Sequence, residues 1–216
     1  MSVTTLSADQ VIKSFQWRYA VKRFDPSRKI EPRVWDAIEK CLVLTPSSFG
    51  LQPWKALVIS SETMKSKLTP ISWNQSQPSD CSHMVIFAAM KSVSLDYVDQ
   101  FLSKIVSVRG VPMESLAPYR QMMAGFLENA KEKHLAWSSN QAYIALGQLM
   151  AVAATMGVDA CPMEGIATAE YDRLLGLEGS NHASVVGCAL GFRHADDKYS
   201  TLPKVRFDAE DIVVHF

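Results

Sequence analysis

Apolar and polar residues follow two different spacings along this chain, and the spacing predicts the secondary structure. Residues 84–90 are a continuous apolar run, which predicts a buried central strand, and residues 183–192 predict a second buried strand. Residues 54–60 and 159–165 predict two further strands, the second of which runs into a turn. Elsewhere apolar residues recur at intervals of three and four, the spacing of amphipathic helices. The pattern indicates an α+β protein in which helices outnumber strands.

Capping and turn-forming residues mark where several helices begin and end. Ser7 and Gln10 have the spacing of a capping box and predict a helix that continues to about Trp17. Pro32 suits the first turn of a second helix, which ends at about Thr45. Further helices are predicted over residues 62–68, 94–108, 113–134 and 168–175, and an irregular polar loop over residues 71–82.

The most apolar helix is predicted over residues 141–156, capped by Ser138 or Ser139 and ended by Gly157. A helix that is apolar on nearly every face has to be buried all round. A subunit interface is an economical way to bury such a helix in a domain of this size, so we expect a homodimer. The apolar stretch from residue 142 to residue 158 contains Gln148 and two glycines and is short for a membrane span, so we interpret it as a buried helix.

Composition and charge limit the classes of function that we expect for this protein. The 216 residues suffice for one domain, predicted to cover residues 1–216, and contain 22 basic and 22 acidic side chains. A neutral chain gives no indication of a nucleic-acid-binding surface. The first ten residues lack the basic and apolar regions of a secretion signal, and the four scattered cysteines predict buried free thiols. We therefore expect a cytoplasmic protein without disulfides or a metal site.

One short segment concentrates positive charge in this neutral chain. Residues 18–25 contain Arg18, Lys22 and Arg23 within six positions, beside two aromatic residues. Side chains alternate between faces in extended backbone, so Arg18, Ala20 and Lys22 are predicted to share one face, with Arg23 on the other. The shared face suits a flat or anionic ligand.

Four segments, in this order along the chain, resemble the flavin-dependent nitroreductase family. They are residues 18–25, Pro46-Ser47-Ser48 with Gln52-Pro53-Trp54, Pro162-Met163-Glu164-Gly165, and Leu202-Pro203-Lys204-Val205-Arg206. Asn74, residues 80–83, Trp137, Gln141 and Tyr143 fit the same pattern. The resemblance spans nearly the whole chain. It implies a nitroreductase-like fold with a central mixed β-sheet surrounded by helices. It also implies an intertwined homodimer whose flavin sites lie at the subunit interface, with the long apolar helix buried there.

The resemblance implies a bound FMN, with NADH or NADPH as co-substrate. Arg18, Lys204 and Arg206 would bind the terminal phosphate, and guanidinium groups suit that role because they donate two parallel hydrogen bonds. Lys22 would lie by the pyrimidine edge of the flavin, where a positive charge stabilises the reduced ring. The implied cofactor contacts are Arg18, Tyr19, Ala20, Lys22, Pro46, Ser47, Ser48, Asn74, Gln77, Gln141, Pro162, Met163, Glu164, Gly165, Lys204 and Arg206.

The resemblance also assigns roles near the reactive ring. Ser47 and Ser48 would reach the flavin of the opposite subunit, and the N–H group of Glu164 would bond the flavin N5 region. Gly165 permits close approach of the backbone to a flat ligand. The substrate would contact Met123, Phe126 and Asn74, the first two from a helix above the pocket.

Each segment also has a plain structural interpretation. The cations could be solvated surface residues, residues 46–48 could simply end a helix, and residues 162–165 could form a strand-ending turn. Asn74 and Gln77 could belong to a solvated loop, and the Met and Phe pair to a helix core.

Two positions depart from the family pattern. Many relatives have a hydroxyl residue where this chain has Ala20, and some have a lysine where it has Gln77. With glutamine rather than lysine at position 77, the flavin would face one fewer positive charge, which predicts a lower flavin reduction potential than in such relatives.

The predicted activity is transfer of hydride from NAD(P)H to FMN, and then through flavin N5 to nitroaromatic, quinone or flavin acceptors. The chain has no Gly-x-Gly-x-x-Gly motif after a strand, so it has no separate site of that type for a dinucleotide. NAD(P)H and the acceptor would therefore bind one after the other over the same flavin. We expect no side chain to act as a catalytic acid or base. The alternatives are a dedicated reductase of one metabolite, such as a pteridine or an enal, and a flavin-binding sensor or storage protein without turnover.

Overall fold

Four strands form one antiparallel sheet, in the order β1–β2–β4–β3, in the computed structural model, which describes residues 5–216. The strands are β1 (Trp54–Ile59), β2 (His83–Met90), β3 (Asp159–Met163) and β4 (His182–Gly191). The central strands β2 and β4 correspond to the two buried strands predicted from the sequence. The predicted domain begins at residue 1, and residues 1–4 lie outside the described part.

The sheet differs from the predicted mixed arrangement, because every neighbouring pair of these strands is antiparallel. An isolated bridge between Ala20 and Ala160 is a parallel contact beside β3. Continuous apolar runs are typical of parallel sheets covered on both faces. Here an antiparallel sheet is covered on both faces, so the same apolar pattern arises without parallel pairing.

The helices follow the predicted order. The predicted capping box is confirmed, since the Ser7 hydroxyl accepts from the Gln10 N–H group at 3.2 Å and the Gln10 side chain accepts from the Ser7 N–H group at 2.8 Å. The helices are α1 (Ala8–Trp17), α2 (Pro32–Val43), α3 (Glu62–Lys65), α4 (Gln77–Asp80), α5 (Leu95–Arg109), α6 (Ala117–Asn129), α7 (His134–Thr155), α8 (Thr168–Leu174) and α9 (Ala209–Ile212).

Two helix boundaries differ from the prediction. The helix predicted over residues 113–134 is divided into a 3₁₀ turn (Met113–Leu116), α6, and a second 3₁₀ turn (Lys131–Lys133) that leads into α7. α7 therefore begins at His134, and the predicted cap Ser138 lies inside it, fully buried. The prediction that Ser138 or Ser139 caps this helix is wrong, because tertiary packing outweighs a local capping preference. The predicted polar loop, residues 71–82, also contains the short helix α4.

The core lies on both faces of the sheet. Val85 and Phe87 of β2 point to one face, where they pack with α2 and α7. Met84 and Ile86 of β2 point to the other face, where they pack with residues 19–24 and with Tyr171 of α8. Successive side chains of a strand alternate in this way. A third cluster packs α5 against α6 beside the sheet.

α7 is covered on one side only within a single chain. Its buried residues face the sheet and α2, but Tyr143 is 39% exposed and Ile144 46% exposed. The expectation of burial all round is thus not met by one chain. Among the described residues, no helix has the length and apolar character needed to cross a membrane. The four cysteines are free, as predicted, but only Cys81, Cys161 and Cys188 are buried, and Cys41 is half-buried.

Candidate functional site

A pocket of about 590 Å³ lies where the end of α1, residues 18–20, β3, α7 and the C-terminal tail meet. Its volume is in the usual range for small-molecule sites. Met150 of α7 and Trp17 contribute apolar walls. Six of the predicted cofactor contacts line it: Arg18, Tyr19, Ala20, Pro162, Lys204 and Arg206. Segments that are about 140 to 190 positions apart in the sequence therefore meet in one cavity.

Three cations crowd one end of this pocket. The Lys204 ammonium donates to the carbonyl of Arg18, and the side chains of Arg18, Lys204 and Arg206 also line an adjoining cavity of about 490 Å³. Burial, together with the neighbouring arginines, lowers the pKa of Lys204. The Arg18 Nε atom is buried and has no hydrogen-bond partner within residues 5–216. Because a buried donor without an acceptor is costly, an anion would suit this end of the pocket.

Asp197 fixes the backbone of the basic segment. Its buried carboxylate accepts from the N–H groups of Lys22 (2.8 Å) and Arg23 (3.1 Å) and from the Tyr19 hydroxyl (3.0 Å). Burial alone would raise the pKa of Asp197, but these hydrogen bonds, with one from the N–H group of Tyr199, lower it below its usual value. Burial and the bond to Asp197 raise the pKa of Tyr19. A buried carboxylate therefore determines how residues 19–23 are presented.

The side chains of the basic segment diverge. The Arg23 guanidinium pairs with Asp196 at 3.4 Å and does not line the pocket. Burial raises the pKa of the Cys161 thiol on β3, and the nearby charges of Lys22 and Arg18 partly offset this effect. The bridge between Ala20 and Ala160, with the Val21 N–H group 3.4 Å from the Ala160 carbonyl, places this segment beside β3. The face assignment is met only in part, because Tyr19 lines the pocket beside Arg18 and Ala20 whereas Lys22 does not.

A second buried carboxylate ties β3 to α1. Asp159 is 2% exposed and accepts from both Nη2 (2.6 Å) and Nε (3.0 Å) of Arg193. The same guanidinium lies over the rings of Trp17 and Tyr19, 4.4 and 4.6 Å from their centroids. Sequence reasoning missed Asp159, Arg193 and Asp197, because each partner lies far away in the chain. The signal available for Asp159 was an aspartate at the first position of a buried strand.

The predicted loop at Ser47 and Ser48 is held by hydrogen bonds within the same chain. The Gln141 side chain accepts from the Ser48 N–H group at 2.8 Å and donates to the Trp137 carbonyl at 3.2 Å. The Ser47 hydroxyl accepts from the Gln52 N–H group at 2.8 Å. None of these residues lines the 590 Å³ pocket. Gln141 is 6% exposed, so its amide serves here to position the loop.

The turn after β3 is in contact with the predicted polar loop. The indole of Trp73 and the amide of Gln75 lie directly over Gly165, so a Cβ atom there would meet them at 2.9 and 2.7 Å. Trp73 and Asn74 both have left-handed backbone, with φ of 54° and 58°, and the Trp73 side chain is 75% exposed. The close approach predicted for Gly165 is therefore made by this chain's own residues. Trp73 is a further residue that sequence reasoning missed.

The remaining predicted positions divide into exposed and buried ones. Asn74 is exposed. Gln77 is only 5% exposed, so the solvated-loop interpretation is wrong for it. Met123 is fully buried between α5 and α6, which leaves no surface for a substrate; the core interpretation holds and the substrate prediction does not. The half-buried Phe126 ring packs against Phe49 and Trp137, with centroids 5.2 and 5.3 Å apart.

The fold belongs to a class of α+β proteins known from solved structures. A nitroreductase from Exiguobacterium sibiricum, described as a complex with FMN, aligns over 100% of both chains with a TM-score of 0.82 and 24% identity. A bacterial enone reductase of fatty-acid saturation, CLA-ER, aligns over 99% of both chains with a TM-score of 0.79 and 22% identity. At these identities the likeness shows the fold.

Sequence relatives and a family model establish the family. A Staphylococcus haemolyticus protein named "Putative NAD(P)H nitroreductase" is 35% identical over 95% of this chain and 96% of its own length. A Bacillus subtilis protein of the same description is 32% identical over 94% and 96%. The model of the nitroreductase family matches residues 15–192. The chain belongs to the nitroreductase family, and it is an oxidoreductase.

Proposed function

We propose that this protein is an FMN-dependent NAD(P)H oxidoreductase that reduces nitroaromatic, quinone or flavin acceptors. The observation that carries the proposal is the cluster of Arg18, Lys204 and Arg206 with its buried, unpartnered Nε atom. A phosphate monoester supplies the acceptor oxygens and the negative charge that this cluster lacks. FMN has such a phosphate at one end and a hydride-carrying ring at the other.

The groups at the other end of the site are suited to a flavin ring. The N–H groups of Glu164 and Gly165 have no hydrogen-bond acceptor among the described residues, although they directly follow β3. Such donors can bond the ring edge near N5. Lys22 lies near β3 and would stabilise the negative charge of the reduced ring. When bound, FMN would carry hydride between the two substrates, and the protein would supply orientation and charge.

The nicotinamide and the acceptor would use one face of the ring in turn. The proposal includes no catalytic side chain, since Pro162, Met163 and Gly165 can contribute only backbone groups to a flavin. We also propose a cytoplasmic location, because this activity draws on the intracellular NAD(P)H pool. A dedicated metabolite reductase is the second candidate, favoured by the fold likeness to an enone reductase.

A homodimer with flavin sites at its interface is part of the proposal. Three apolar surfaces are uncovered in one chain: the α7 face with Ile144, the α1 face with Ile12 and Phe15, and the tail, residues 205–216. A further cavity of about 570 Å³ lies against β1, whose outer edge has no strand partner among the described residues. Exposed apolar surface of this extent is typical of interfaces. An intertwined dimer would cover these surfaces and bring Ser47 and Ser48 to the flavin of the partner.

The proposal is tested by reconstituting the purified protein with FMN and recording its visible spectrum. We expect a bound yellow flavin, which is bleached on anaerobic mixing with NADH or NADPH and regains its colour with menadione or a nitroaromatic compound. A protein that binds FMN but is not bleached by either nucleotide would be a flavin-binding protein without this activity. A protein that binds no FMN would contradict the proposal altogether.

A further inference from the structure

The turn formed by Glu164 and Gly165 is not fixed by the backbone that leads into it. The ladder between β3 and β4 ends at the pair Met163 and Gly187. Pro162 restricts φ before the turn, but Gly165 allows a wide range of φ after it. After β3, the Ile166 N–H group donates to the Glu164 carbonyl and the Ala167 N–H group to the Ile71 carbonyl, both at 2.8 Å. Neither bond engages the N–H groups of Glu164 and Gly165, so side-chain contacts add to what determines their direction.

Tyr143 holds this turn from the side of α7. Its hydroxyl donates a hydrogen bond to the Glu164 carboxylate. Burial, the hydrogen bond and the charge of Glu164 raise the pKa of Tyr143 to about 12, so the phenol remains a donor at neutral pH. A free, exposed glutamate would sample several rotamers. Here its carboxylate is tied to a 22-residue helix that packs against the sheet.

The polar loop holds the same turn from the opposite side. The Gln75 side chain donates to the Gly165 carbonyl at 3.4 Å, and the Trp73 indole lies against the Gly165 Cα atom. The loop is anchored in turn by the buried Ser72 hydroxyl, 2.7 Å from the Tyr171 hydroxyl. Side-chain contacts thus hold both Glu164 and Gly165.

The position of Tyr143 on α7 links the turn to the rest of the site. Two residues earlier, Gln141 bonds the Ser48 N–H group. Two helical turns later, Met150 lines the pocket, about 10.5 Å along the helix axis. One face of α7 thereby extends from the pocket to the turn after β3.

We propose that Tyr143 is a positioning residue: its hydrogen bond to Glu164 orients the Glu164 and Gly165 N–H groups toward the flavin N5 edge. The inference rests on the proposed function. It assigns to α7 a role in hydride transfer that is separate from binding the phosphate. It implies that the pair affects the flavin's redox properties more than its affinity.

The test compares Tyr143→Phe, Glu164→Gln and the double variant with the wild-type holoenzyme. We expect each single variant to bind FMN within about threefold of wild type, and anaerobic flavin reduction by NADH to slow about tenfold, since small misplacements cost that much. The flavin midpoint potential should shift in both variants. The double variant should be no slower than the slower single variant, because the two side chains act as one unit.

A matched control variant and a measurement without flavin show whether a change in potential arises from the hydrogen bond between Tyr143 and Glu164. Tyr119→Phe removes a phenol of the same kind, which donates to the Phe49 carbonyl at 2.8 Å, and should leave the potential unchanged. In the apoprotein, Glu164→Gln should lower the pH at which the Tyr143 phenol ionises, measured by near-ultraviolet absorbance against Tyr143→Phe.

Two results would overturn the inference: an unchanged potential and reduction rate in Tyr143→Phe, or strictly multiplicative effects in the double variant. Neither result bears on whether the wild-type protein binds FMN and reacts with NAD(P)H. Failure of the wild type in those assays would instead contradict the proposed function.

Discussion

The two ends of the candidate site are built in different ways. At the phosphate end, long cationic side chains from residues 18–25 and from the C-terminal tail converge on a pocket. At the ring end, backbone N–H groups after β3 are held by side chains from α7 and from the polar loop. In the proposed function, the first arrangement would supply charge and therefore FMN affinity. The second would supply direction, on which hydride transfer would depend. Substitutions should separate the two functions.

The largest expected effect is at the phosphate end. Arg18→Ala removes a buried, unpartnered cationic donor. Because hydrogen bonds to charged groups contribute about 1.5–3 kcal/mol, FMN affinity should fall roughly 10- to 100-fold. Fluorescence titration of the apoprotein measures this. The matched control is Arg23→Ala, whose guanidinium faces Asp196 and should leave affinity unchanged. Equal losses in both variants would mean that general charge, rather than the pocket, attracts FMN.

The next effect concerns the buried carboxylate that supports the phosphate end. Asp197→Asn weakens the hydrogen bonds to the N–H groups of Lys22 and Arg23, and should reduce the free energy of unfolding by about 1–3 kcal/mol at pH 7. The pKa of Asp197 is lowered in the folded protein. Its stabilising contribution is therefore complete above the unfolded-state pKa and is lost as pH falls through the folded-state value. Urea unfolding from pH 7 to pH 3 measures this.

The acid dependence provides the control for this prediction. The difference in stability between wild type and Asp197→Asn should shrink as the pH falls, since the wild-type carboxyl becomes protonated. A difference that stays constant over that range would show that Asp197 acts through shape alone.

A smaller effect is expected at the ring end. Gly165→Ala places a Cβ atom 2.7 Å from Gln75 Nε2 and 2.9 Å from the Trp73 indole, so both must shift. Such overpacking costs about 1–3 kcal/mol where neighbours cannot move. Because Trp73 is exposed, we expect a stability loss of about 1 kcal/mol and a clearly slower reduction of the flavin by NADH.

Gly125→Ala is the matched control, because its Cβ would meet nothing within 4 Å. It lies inside α6 and should raise stability slightly through helix propensity. Thermal unfolding and stopped-flow reduction are measured on both variants. Similar kinetic losses in both would argue against a special role for the turn.

The smallest effect tests a departure from the family pattern. Gln77→Lys introduces a positive charge at a position that is 5% exposed, and should raise the flavin potential slightly. A redox titration measures it. The ammonium has to reach the ring or solvent, since a buried unpaired charge is costly. No rise in potential in a folded, FMN-binding variant would contradict the predicted position of residue 77 near the pyrimidine edge.

The secondary structure of this chain was largely predictable, and the reasons are local. The β2 and β4 runs and the Ser7 capping box are sequence patterns, and both are present in the structure. The start of α7 and the division of the helix before it were not predictable, because packing of Ser138 and His134 in the core outweighed propensity. The antiparallel pairing of the strands was not predictable either, since a sheet covered on both faces gives the same apolar pattern whether its strands are parallel or antiparallel.

The sequence by itself determined the α+β pattern, the family and the set of segments that form the candidate site. It could do so because periodicity, caps and motifs are contained in neighbouring residues. Only the tertiary structure decided how these segments meet. It buried Met123, and it brought Asp197 to the backbone of residues 22 and 23 and Tyr143 to Glu164. Those contacts join residues that are far apart in the chain, where no local pattern records which partner the fold brings close.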